Sequence, residues 1–313
     1  MRELMEGSAT PAQIGAFLIA LHMKGEAVEE ITGAVRALRS HATHIEPRSP
    51  VIVDTCGTGG DRRGTFNIST AAAFIAAGAG LTVAKHGNRA MSGTVGGADV
   101  LEALGVTIEL APAQVAACID EIGIGFLFAP VFHPAMRHVA GPRRELGVRT
   151  IFNLLGPLAN PARARHQVVG VFAAAWTEPL AHALGRLGAR HAVVVHGDDG
   201  LDEISLAAPT QLSEWRDDAV RTYRVTPEEF GFARCRNADL EGGNREAAAS
   251  IIRAILAGAT GPRADIAVLN AAAAIYVGGL AASINAGIDR ARESLRSGRA
   301  RHKLEQLIEF SRR

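Results

Sequence analysis

The sequence predicts an α/β protein: a large domain with a mainly parallel central sheet flanked by helices, preceded by a small all-helical domain. From residue 51 onward, short β-branched or apolar runs alternate with helical segments, which is typical of a parallel sheet covered on both faces. The chain has 313 residues, of which 48% are hydrophobic, enough for one large domain and a smaller companion. We expect residues 1–46 to form the helical domain, joined by helices from about 133–157, and residues 47–313 to form the α/β domain.

The overall charge and the cysteines exclude several function classes. A formal net charge of +1 gives the whole chain no strong attraction to nucleic acid or to an anionic membrane. The three cysteines are far apart and lack metal-ligand spacing, which favours reduced thiols in the cytosol. No stretch resembles a signal peptide or a membrane span. We therefore predict a cytoplasmic protein with no nucleic-acid or membrane partner.

Two amphipathic helices are predicted in the first 40 residues. Thr10 is a suitable N-cap, Pro11 fits the first helical position, and Gly25 ends the first helix. The second helix has its apolar residues on one face over 28–38. Two helices bury little apolar surface alone, so we expect them to pack on another part of the chain or on a second subunit.

The α/β part is predicted to contain short strands separated by helices, and the chain after residue 240 is predicted to be mostly helical. In such a sheet, ligands bind at the carboxyl ends of the strands, near the point where the strand order reverses. The candidate strands are 51–54, 81–84, 106–109, 124–128, 168–172 and 191–195.

The first candidate site is the glycine-dense turn at 57–60, between the strand at 51–53 and an Ala-rich helix at 71–79. Glycines let backbone N–H groups approach a ligand closely, and Asn67 or Ser69 can cap the helix, whose N-terminus suits an anion. The turn is neither a dinucleotide fingerprint nor a Walker loop. It predicts a phosphate site, with an ordinary tight turn as the alternative.

A second turn follows the next strand. Lys85 and Arg89 place two cations at this strand end, shortly before another helix. One strand end offering backbone amides and its neighbour offering point charges would suit a ligand with several phosphates. The alternative is that both are surface charges and that His86 is an ordinary hydrogen-bonded residue.

An acidic turn and an Arg-rich stretch complete the candidates. Asp202 and Glu203 can share a ligand only in an irregular turn, which the nearby Gly200 permits, and magnesium accepts such carboxylates together with substrate phosphates. The Arg-rich stretch at 133–149 offers guanidinium groups that could bind a carboxylate in bidentate fashion. The alternatives are a solvated acidic loop and water-facing arginines. Cys56 is interpreted as a small filler, because no activating base is evident.

With these motifs in view, the chain resembles the anthranilate phosphoribosyltransferase family of tryptophan biosynthesis over nearly its whole length. The resemblance implies a nucleoside-phosphorylase-like fold and transfer of the phosphoribosyl group of phosphoribosyl pyrophosphate (PRPP) to the amine of anthranilate. It also implies two magnesium ions and a homodimer built through the helical domain. The matching segments are GTGGD at 57–61, FNIST at 66–70, KHGNR at 85–89, ADVLEALG at 98–105, FHPAMRHV at 132–139, RRELGVRTIFNLLGPLANP at 143–161 and HGDDGLDEIS at 196–205.

The same resemblance implies which residues act, with Lys85 and Arg143 as the catalytic pair. The implied PRPP site comprises Gly57, Gly59, Gly60, Asp61, Thr65, Asn67, Ser69, Thr70, Lys85, Gly93 and Val95. The implied anthranilate site comprises Gly57, Asn88, His133, Arg143, Gly156 and Pro157, and the implied metal ligands are Ser69, Asp202 and Glu203.

Two departures from the family pattern stand out. Many relatives carry Ser-Ser-x-Ser-Gly after KHGNR, whereas this chain has Ser92-Gly93-Thr94-Val95-Gly96, so Val95 replaces a residue that could bind phosphate. Relatives also usually carry another helix before the one at 11–24, which bears on the dimer contact more than on the chemistry.

The implied reaction favours electrostatic catalysis. The amine of anthranilate is neutral at pH 7, so cleavage of the C1′–O bond is the demanding event, and magnesium, Lys85 and loop amides would stabilise the departing pyrophosphate. His86 and His133 are candidates for orientation or late proton removal only. Two rivals remain: a pyrimidine nucleoside phosphorylase, disfavoured by the KHGNR and DGLDE motifs, and a nucleic-acid-binding relative without catalysis, disfavoured by the charge of +1.

Overall fold

The computed structural model describes residues 1–61, 63–90 and 95–313. Its N-terminal part is helical, with α1 at Arg2–Glu6, α2 at Pro11–Lys24 and α3 at Val28–Ser40. Helix α2 begins and ends as predicted: Thr10 accepts a hydrogen bond from the backbone N–H of Gln13, and Gly25 is the C-cap. The expectation that this chain lacks the helix that relatives carry before 11–24 is wrong, because the short helix α1 occupies this stretch.

The described residues form one seven-stranded sheet in the order β3-β2-β1-β4-β5-β6-β7. Strands β1 to β5 run parallel, and β6 and β7 are antiparallel at one edge. Since β2 and β3 lie on one side of β1 and β4 and β5 on the other, the strand order reverses next to β1. The strands are β1 Ile52–Gly57, β2 Thr82–Gly87, β3 Ile124–Phe128, β4 His166–Gly170, β5 His191–Gly197, β6 Thr210–Arg216 and β7 Ala219–Val225.

Helices cover both faces of this sheet, as the alternating pattern predicts. Val193 and Val195 of β5 belong to a core with α4, α5 and α11–α14, whereas Ala192 and Val194 belong to a core on the opposite face. The remaining helices are α4 Ile68–Gly78, α5 Gly97–Ala103, α6 Pro112–Ile122, α7 Ala129–Phe132, α8 Arg137–Leu146, α9 Phe152–Leu158, α10 Thr177–Arg186, α11 Arg245–Leu256, α12 Pro262–Val277, α13 Ile284–Arg296 and α14 Arg299–Phe310.

The stretch 133–157 packs against the N-terminal helices. Helix α8 lies on α1 and α2, and α9 lies on α3, so Val139 and Leu154 share a core with Leu18 and Val35. The N-terminal helices therefore bury most of their apolar residues within the chain, against α8, α9 and α10, while Phe17 and Met23 of α2 stay exposed. The domain boundary at residue 46 stays a prediction.

The predicted strand at 106–109 is wrong. Val106 and Ile108 are buried, but this segment is an extended connection between α5 and α6. The backbone N–H of Thr107 donates to Ser311 Oγ (3.0 Å), so the segment is tied to the C-terminus of the chain and has no strand partner among the described residues. The segment is apolar because it is buried under the C-terminal helix. Periodicity alone does not distinguish such a buried segment from a strand.

The sequence prediction also missed the edge hairpin formed by β6 and β7. The two strands are joined by Asp217 and Asp218, which have φ values of +52° and +60°. Two consecutive left-handed residues match the twist of a two-residue hairpin, and aspartate tolerates this conformation. The available signal was weak: two aspartates separate the segments, and β6 contains a single β-branched residue, Thr210.

Within the described residues, no helix is both long and apolar enough to cross a membrane.

Candidate active site

The first candidate loop leaves β1 at Gly57 and enters α4 at Ile68, beside the point where the strand order reverses. Its start is fixed by a hydrogen bond from Thr58 N to Gly170 O (2.8 Å), at the end of β4. Gly59 and Gly60 both have left-handed φ values, 64° and 76°, which let consecutive backbone N–H groups face one concave side. The loop therefore has the backbone geometry of an anion-binding turn.

The far end of this loop is held by residues near α11. Gly242 N donates to Gly64 O (2.8 Å), and Thr65 forms an isolated β-bridge with Glu241. Phe66 is fully buried in the main core. The loop is thus anchored before, within and after its glycines.

Asn67 is the N-cap residue of α4, in a left-handed conformation with φ of 65°. Its side-chain oxygen accepts a hydrogen bond from Thr70 Oγ1, so it orients a hydroxyl and does not cap a backbone N–H. The prediction that Asn67 or Ser69 caps the helix is confirmed in that Asn67 occupies the N-cap position, but its side chain makes no capping hydrogen bond. A non-glycine residue held at positive φ is costly, and such strain concentrates at functional sites.

Lys85 reaches the same loop from the end of β2. Its side chain is buried, and its ammonium group donates to Thr55 O and to Ser69 Oγ, the latter at 3.0 Å. Burial lowers the pKa of Lys85, and the neighbouring carboxyl groups, Asp54 foremost, oppose that shift. The amine is therefore directed at the N-terminus of α4 by two fixed acceptors.

The acidic pair lies on the other side of the first loop. Asp202 Oδ2 accepts a hydrogen bond from Gly59 N (3.0 Å). Withdrawal from water, followed by the charge of Asp61, raises the pKa of Asp202 to about 7. Burial and the charge of Asp202 raise the pKa of Glu203 well above its usual range. A group of carboxylates that repel one another in this way is suited to a cation.

The loop, Lys85 and the acidic pair are neighbours, and the region between them is called the cleft below. Lys85 bonds to Ser69 of α4, Gly59 of the loop bonds to Asp202, and the charges of Lys85 and Glu203 influence each other. This shared cleft is the arrangement that the sequence motifs require.

Magnesium fits the donors that the cleft provides. The oxygens of Asp202, Glu203 and Ser69 are hard ligands of the kind magnesium prefers, and a cation would offset the repulsion among Asp61, Asp202 and Glu203 that adds to the effect of burial on the carboxyl pKa values. Within the described residues, no group of three or more His, Cys, Asp and Glu side chains is arranged to hold a metal ion alone. The remaining ligands would therefore come from water and substrate phosphates.

Two histidines form the wall of the cleft beside β2. The rings of His86 and His133 are 5.1 Å apart, and His86 Nδ1 lies 3.1 Å from Gly156 O. A carbonyl acceptor requires Nδ1 to carry the proton, which leaves Nε2 as an acceptor. Burial lowers the pKa of His86 to about 3 and that of His133 to about 4, so both rings are neutral at pH 7.

Several ring nitrogens in this wall lack a protein partner. His86 Nε2 and both ring nitrogens of His133 are buried without a hydrogen bond to any described residue. Buried polar atoms are normally paired, so these unpartnered nitrogens are candidate hydrogen-bond partners for a ligand.

Arg143 lies in the last turn of α8, half-buried, with its guanidinium 4.9 Å from the centre of the Phe152 ring. Burial lowers the pKa of Arg143. Among the described residues, no carboxylate pairs with it, whereas Arg89, for example, is paired with Asp99 and Glu102. A half-buried guanidinium stacked on a ring and lacking a counter-ion is suited to a carboxylate ligand.

The last turn of helix α9, which contains Gly156 and Pro157, lies between the histidines and Gln167 of β4. Gly156 O faces His86, and Pro157 O accepts a hydrogen bond from Gln167 Nε2 (2.9 Å). Asn88 is exposed, with its side-chain oxygen accepting from Arg89 N (2.8 Å). Val95 packs against the main core. Gly93 lies outside the described residues.

Sequence reasoning missed Asp54, a fully buried carboxyl on β1. Its two oxygens accept hydrogen bonds from His86 N (3.1 Å) and Asn160 Nδ2 (2.8 Å). It thereby fixes β2 at the residue after Lys85 and supplies a negative charge near that amine. The available signal was an acidic residue ending an apolar strand. Burial and Asp54 raise the pKa of Cys56, which supports its interpretation as a filler.

Two further residues support the loops. Arg149 donates to Gly60 O (2.6 Å) and lies over the Phe172 ring. Asp99 Oδ2 accepts hydrogen bonds from Ala90 N (3.0 Å) and Gly96 N (2.9 Å). Each therefore holds the backbone of a loop that leads into the cleft.

Family models match almost the entire chain. Residues 49–301 match the model described as "Glycosyl transferase family, a/b domain", and residues 1–42 match "Glycosyl transferase family, helical bundle domain".

Individual relatives agree with this assignment. The chain is 55% identical over 313 residues to the anthranilate phosphoribosyltransferase of Symbiobacterium thermophilum, covering 100% of this chain and 92% of that one. The crystal structure of the Thermus thermophilus enzyme of that name superposes with a TM-score of 0.95 at 47% identity, covering 100% and 93%. That of Saccharomyces cerevisiae, in complex with PRPP and Mg, superposes with a TM-score of 0.88 at 30% identity, covering 96% and 85%.

Proposed function

This chain belongs to the anthranilate phosphoribosyltransferase family, and from this premise we propose how its cleft transfers the 5-phosphoribosyl group of PRPP to the amine of anthranilate. The products are N-(5-phosphoribosyl)anthranilate and pyrophosphate. The observation that carries the proposal is the convergence of Lys85, the glycine-dense loop and the Asp202–Glu203 pair in one cleft.

PRPP would bind along the first loop and the start of α4. The glycines at 57, 59 and 60 let the loop backbone approach phosphate oxygens closely, and the N-terminus of α4 offers N–H donors, while the Gly59 N–H itself donates to Asp202. Lys85 adds a positive charge that its two acceptors hold in place. The other residues that we assign to this ligand are Asp61, Thr65, Asn67, Ser69, Thr70, Gly93 and Val95.

We propose that Asp202 and Glu203 hold one magnesium ion and that Ser69 assists a second one bound to pyrophosphate. The solved yeast relative in complex with PRPP and Mg supports a role for magnesium in this site. When bound, the metal would neutralise negative charge that develops on pyrophosphate.

Anthranilate would lie between Arg143, the two histidines and the Gly156–Pro157 turn. Arg143 is the unpaired guanidinium that a carboxylate needs, and His86 Nε2 and His133 offer unpartnered ring nitrogens. Asn88 and Gly57 complete the binding site that we propose, on the side of the phosphate loops.

Charge explains the division of labour in the reaction. As the C1′–O bond breaks, the electron pair leaves with pyrophosphate, and Lys85 and the loop N–H groups face the oxygens that gain charge. The anthranilate nitrogen forms the new bond to C1′ and then loses a proton. Arg143 holds the ring in position, which is catalysis by positioning. The neutral His86 can accept a hydrogen bond from the amine through Nε2.

The direct test is to mix the protein with anthranilate, PRPP and magnesium and to follow the loss of anthranilate fluorescence. We expect turnover that requires all three components. Phosphorolysis of a pyrimidine nucleoside in place of this reaction would instead favour the nucleoside phosphorylase. Salt-sensitive DNA binding without turnover would favour the nucleic-acid-binding alternative.

Replacing Arg143 tests the anthranilate side. Arg143→Gln should raise the KM for anthranilate by at least about tenfold, because a charge-assisted bidentate contact is lost, and should change the KM for PRPP little. Arg144→Gln is the matched control, since Arg144 is the exposed neighbour on α8. Equal effects of the two substitutions on the anthranilate KM would remove Arg143 from the site.

We further propose that the protein is a homodimer formed through the helical domain. Helix α2 exposes two large apolar side chains, Phe17 at 39% and Met23 at 81%. In sedimentation velocity at micromolar concentration we expect the mass of two chains, and Phe17→Glu with Met23→Glu should shift it toward one chain. A monomer in the unmodified protein would contradict the proposal.

A cytoplasmic location is proposed on the ground that all three cysteines are free thiols.

A further inference from the structure

A second cavity lies behind the active site, at the amino-terminal end of β4 and between α3 and α10. Its volume is about 270 Å³, roughly that of nine water molecules or of one small organic molecule. Three arginines line it, Arg39, Arg163 and Arg165, together with the apolar side chains of Leu184 and Leu187. No aspartate or glutamate lines it among the described residues.

The arginines of this cavity carry charge that the lining side chains do not neutralise. Arg39 donates to two carbonyl oxygens, those of Leu158 and Leu187, and these are neutral acceptors. Burial and the charge of Arg163 lower the pKa of the Arg39 guanidinium to about 10, so the two groups repel each other. An anion between them would relieve this repulsion and bind to the unused N–H donors.

A buried acceptor in the cavity wall also lacks a partner. Gln167 is 1% exposed, and its amide nitrogen donates to Pro157 O (2.9 Å). This contact fixes the amide orientation, which leaves Oε1 as the free atom, and no described residue donates to it. A buried acceptor without a donor is rare, and since Gln167 is one of the residues that line the cavity, a ligand N–H or O–H group that reached this oxygen would satisfy it.

The cavity lies directly behind the turn that we assign to anthranilate. Gln167 bonds to Pro157, and Arg39 bonds to Leu158, the last residue of α9. The other side of that turn faces His86 through Gly156 O. A ligand in the cavity would therefore contact side chains that hold the anthranilate wall.

We propose that this cavity is a binding site for a small organic acid: a carboxylate for the arginines, an apolar body for Leu184 and Leu187, and a hydrogen-bond donor for Gln167. The site is separate from the catalytic cleft and does not depend on the reaction proposed above.

N-acetyl-L-leucine is a suitable probe because it carries a carboxylate, a branched apolar side chain and an amide N–H. In calorimetric titration at low salt we expect it to bind one site per chain. N-acetyl-L-leucinamide, its uncharged counterpart, should bind at least about tenfold more weakly. Arg163→Gln should weaken binding of the acid by about tenfold, whereas Arg190→Gln, an exposed arginine outside the cavity with the same change of charge, should leave it unchanged.

Four outcomes would overturn the proposal. Equal binding of acid and amide would show that the arginines do not bind the ligand. Equal weakening by the Arg163 and Arg190 substitutions would show only a general charge effect. Loss of binding in Arg143→Gln, with no loss in Arg163→Gln, would place the probe in the catalytic cleft. Inorganic phosphate binding as tightly as N-acetyl-L-leucine would show that the apolar wall plays no part.

Discussion

At the scale of single residues, the site depends on two glycines, Gly57 and Gly170, where a larger residue would not fit. A Cβ atom built on Gly57 would overlap Asp202 Oδ2, and one built on Gly170 would overlap the backbone of Asp202. Because the ends of β1 and β4 carry glycine, the acidic turn can lie directly against them. This is a steric requirement, since Gly57 has no left-handed φ that would call for glycine.

Gly57→Ala tests this requirement. The added methyl group must displace the Asp202 carboxylate, so we expect kcat to fall at least about tenfold and the magnesium concentration for half-maximal activity to rise. Gly33→Ala serves as the control, because nothing lies within 4 Å of a Cβ there and alanine is favoured in a helix. An unchanged magnesium requirement in Gly57→Ala would contradict the role given to Asp202.

Residues differ in how far the sequence predicts them. The sequence predicts Lys85, Asp202 and Glu203 as site residues because they follow strands within recognisable motifs. It does not predict Asp54 and Asn160, because their hydrogen bond joins positions 106 residues apart and depends on how β1 packs against the turn after α9. A local pattern carries no information about such a partner.

At the scale of elements, Asp99 in the first turn of α5 links the two ends of the second loop. One of its oxygens accepts both Ala90 N and Gly96 N, while its other oxygen contacts Arg89 at 3.3 Å. Two backbone donors on one carboxylate oxygen make the carboxylate part of the loop structure.

Asp99→Ala should therefore loosen the loop that follows Lys85. We expect a loss of about 1–2 kcal/mol in the free energy of unfolding, from the lost cap and two unsatisfied N–H groups, and a raised KM for PRPP. Glu102→Gln removes only the ion pair with Arg89 and should cost less than about 1 kcal/mol with no change in KM. Denaturant titration measures the free energy of unfolding, and steady-state kinetics measures the KM for PRPP. Equal values in the two variants would refute the role given to Asp99.

Elements also differ in predictability. Helix α2 was predicted to the residue, because its capping groups are local in sequence. The apolar pattern at 106–109 predicts a strand wrongly, because a buried apolar run looks the same whether it lies in a sheet or under the C-terminal helix. The β6–β7 hairpin was missed because its turn uses two aspartates in place of glycine.

At the scale of the whole molecule, two buried neutral histidines couple the fold to pH. The pKa values of His86 and His133 are about 3 and about 4 in the folded chain, against about 6.5 when unfolded. Between these values the unfolded chain binds more protons, so stability must fall as the pH falls through 6.5.

When the pH is lowered from 7.5 to 5, protonation of each histidine in the unfolded chain should reduce the free energy of unfolding by about 2 kcal/mol. His86→Asn together with His133→Asn should flatten this slope, whatever its effect on the absolute stability. His182→Asn is the control, because this histidine lies on the surface of α10. Denaturation at fixed protein concentration across this range gives the slope, and a double variant as acid-sensitive as the parent would refute the assignment.

Helix α4, which carries the phosphate-facing N-terminus, is buried along almost its whole length between the sheet and α12–α14, and Ser294 Oγ donates to Ile75 O inside it. The amide protons that are hydrogen-bonded inside α4 should therefore exchange with deuterium only when the domain opens, whereas the first N–H groups of the helix, which face the site, have no such protection. On heating, the N-terminus of α4 should therefore not unfold before the remainder of the domain. Enzyme activity and folded secondary structure should be lost along the same curve against temperature.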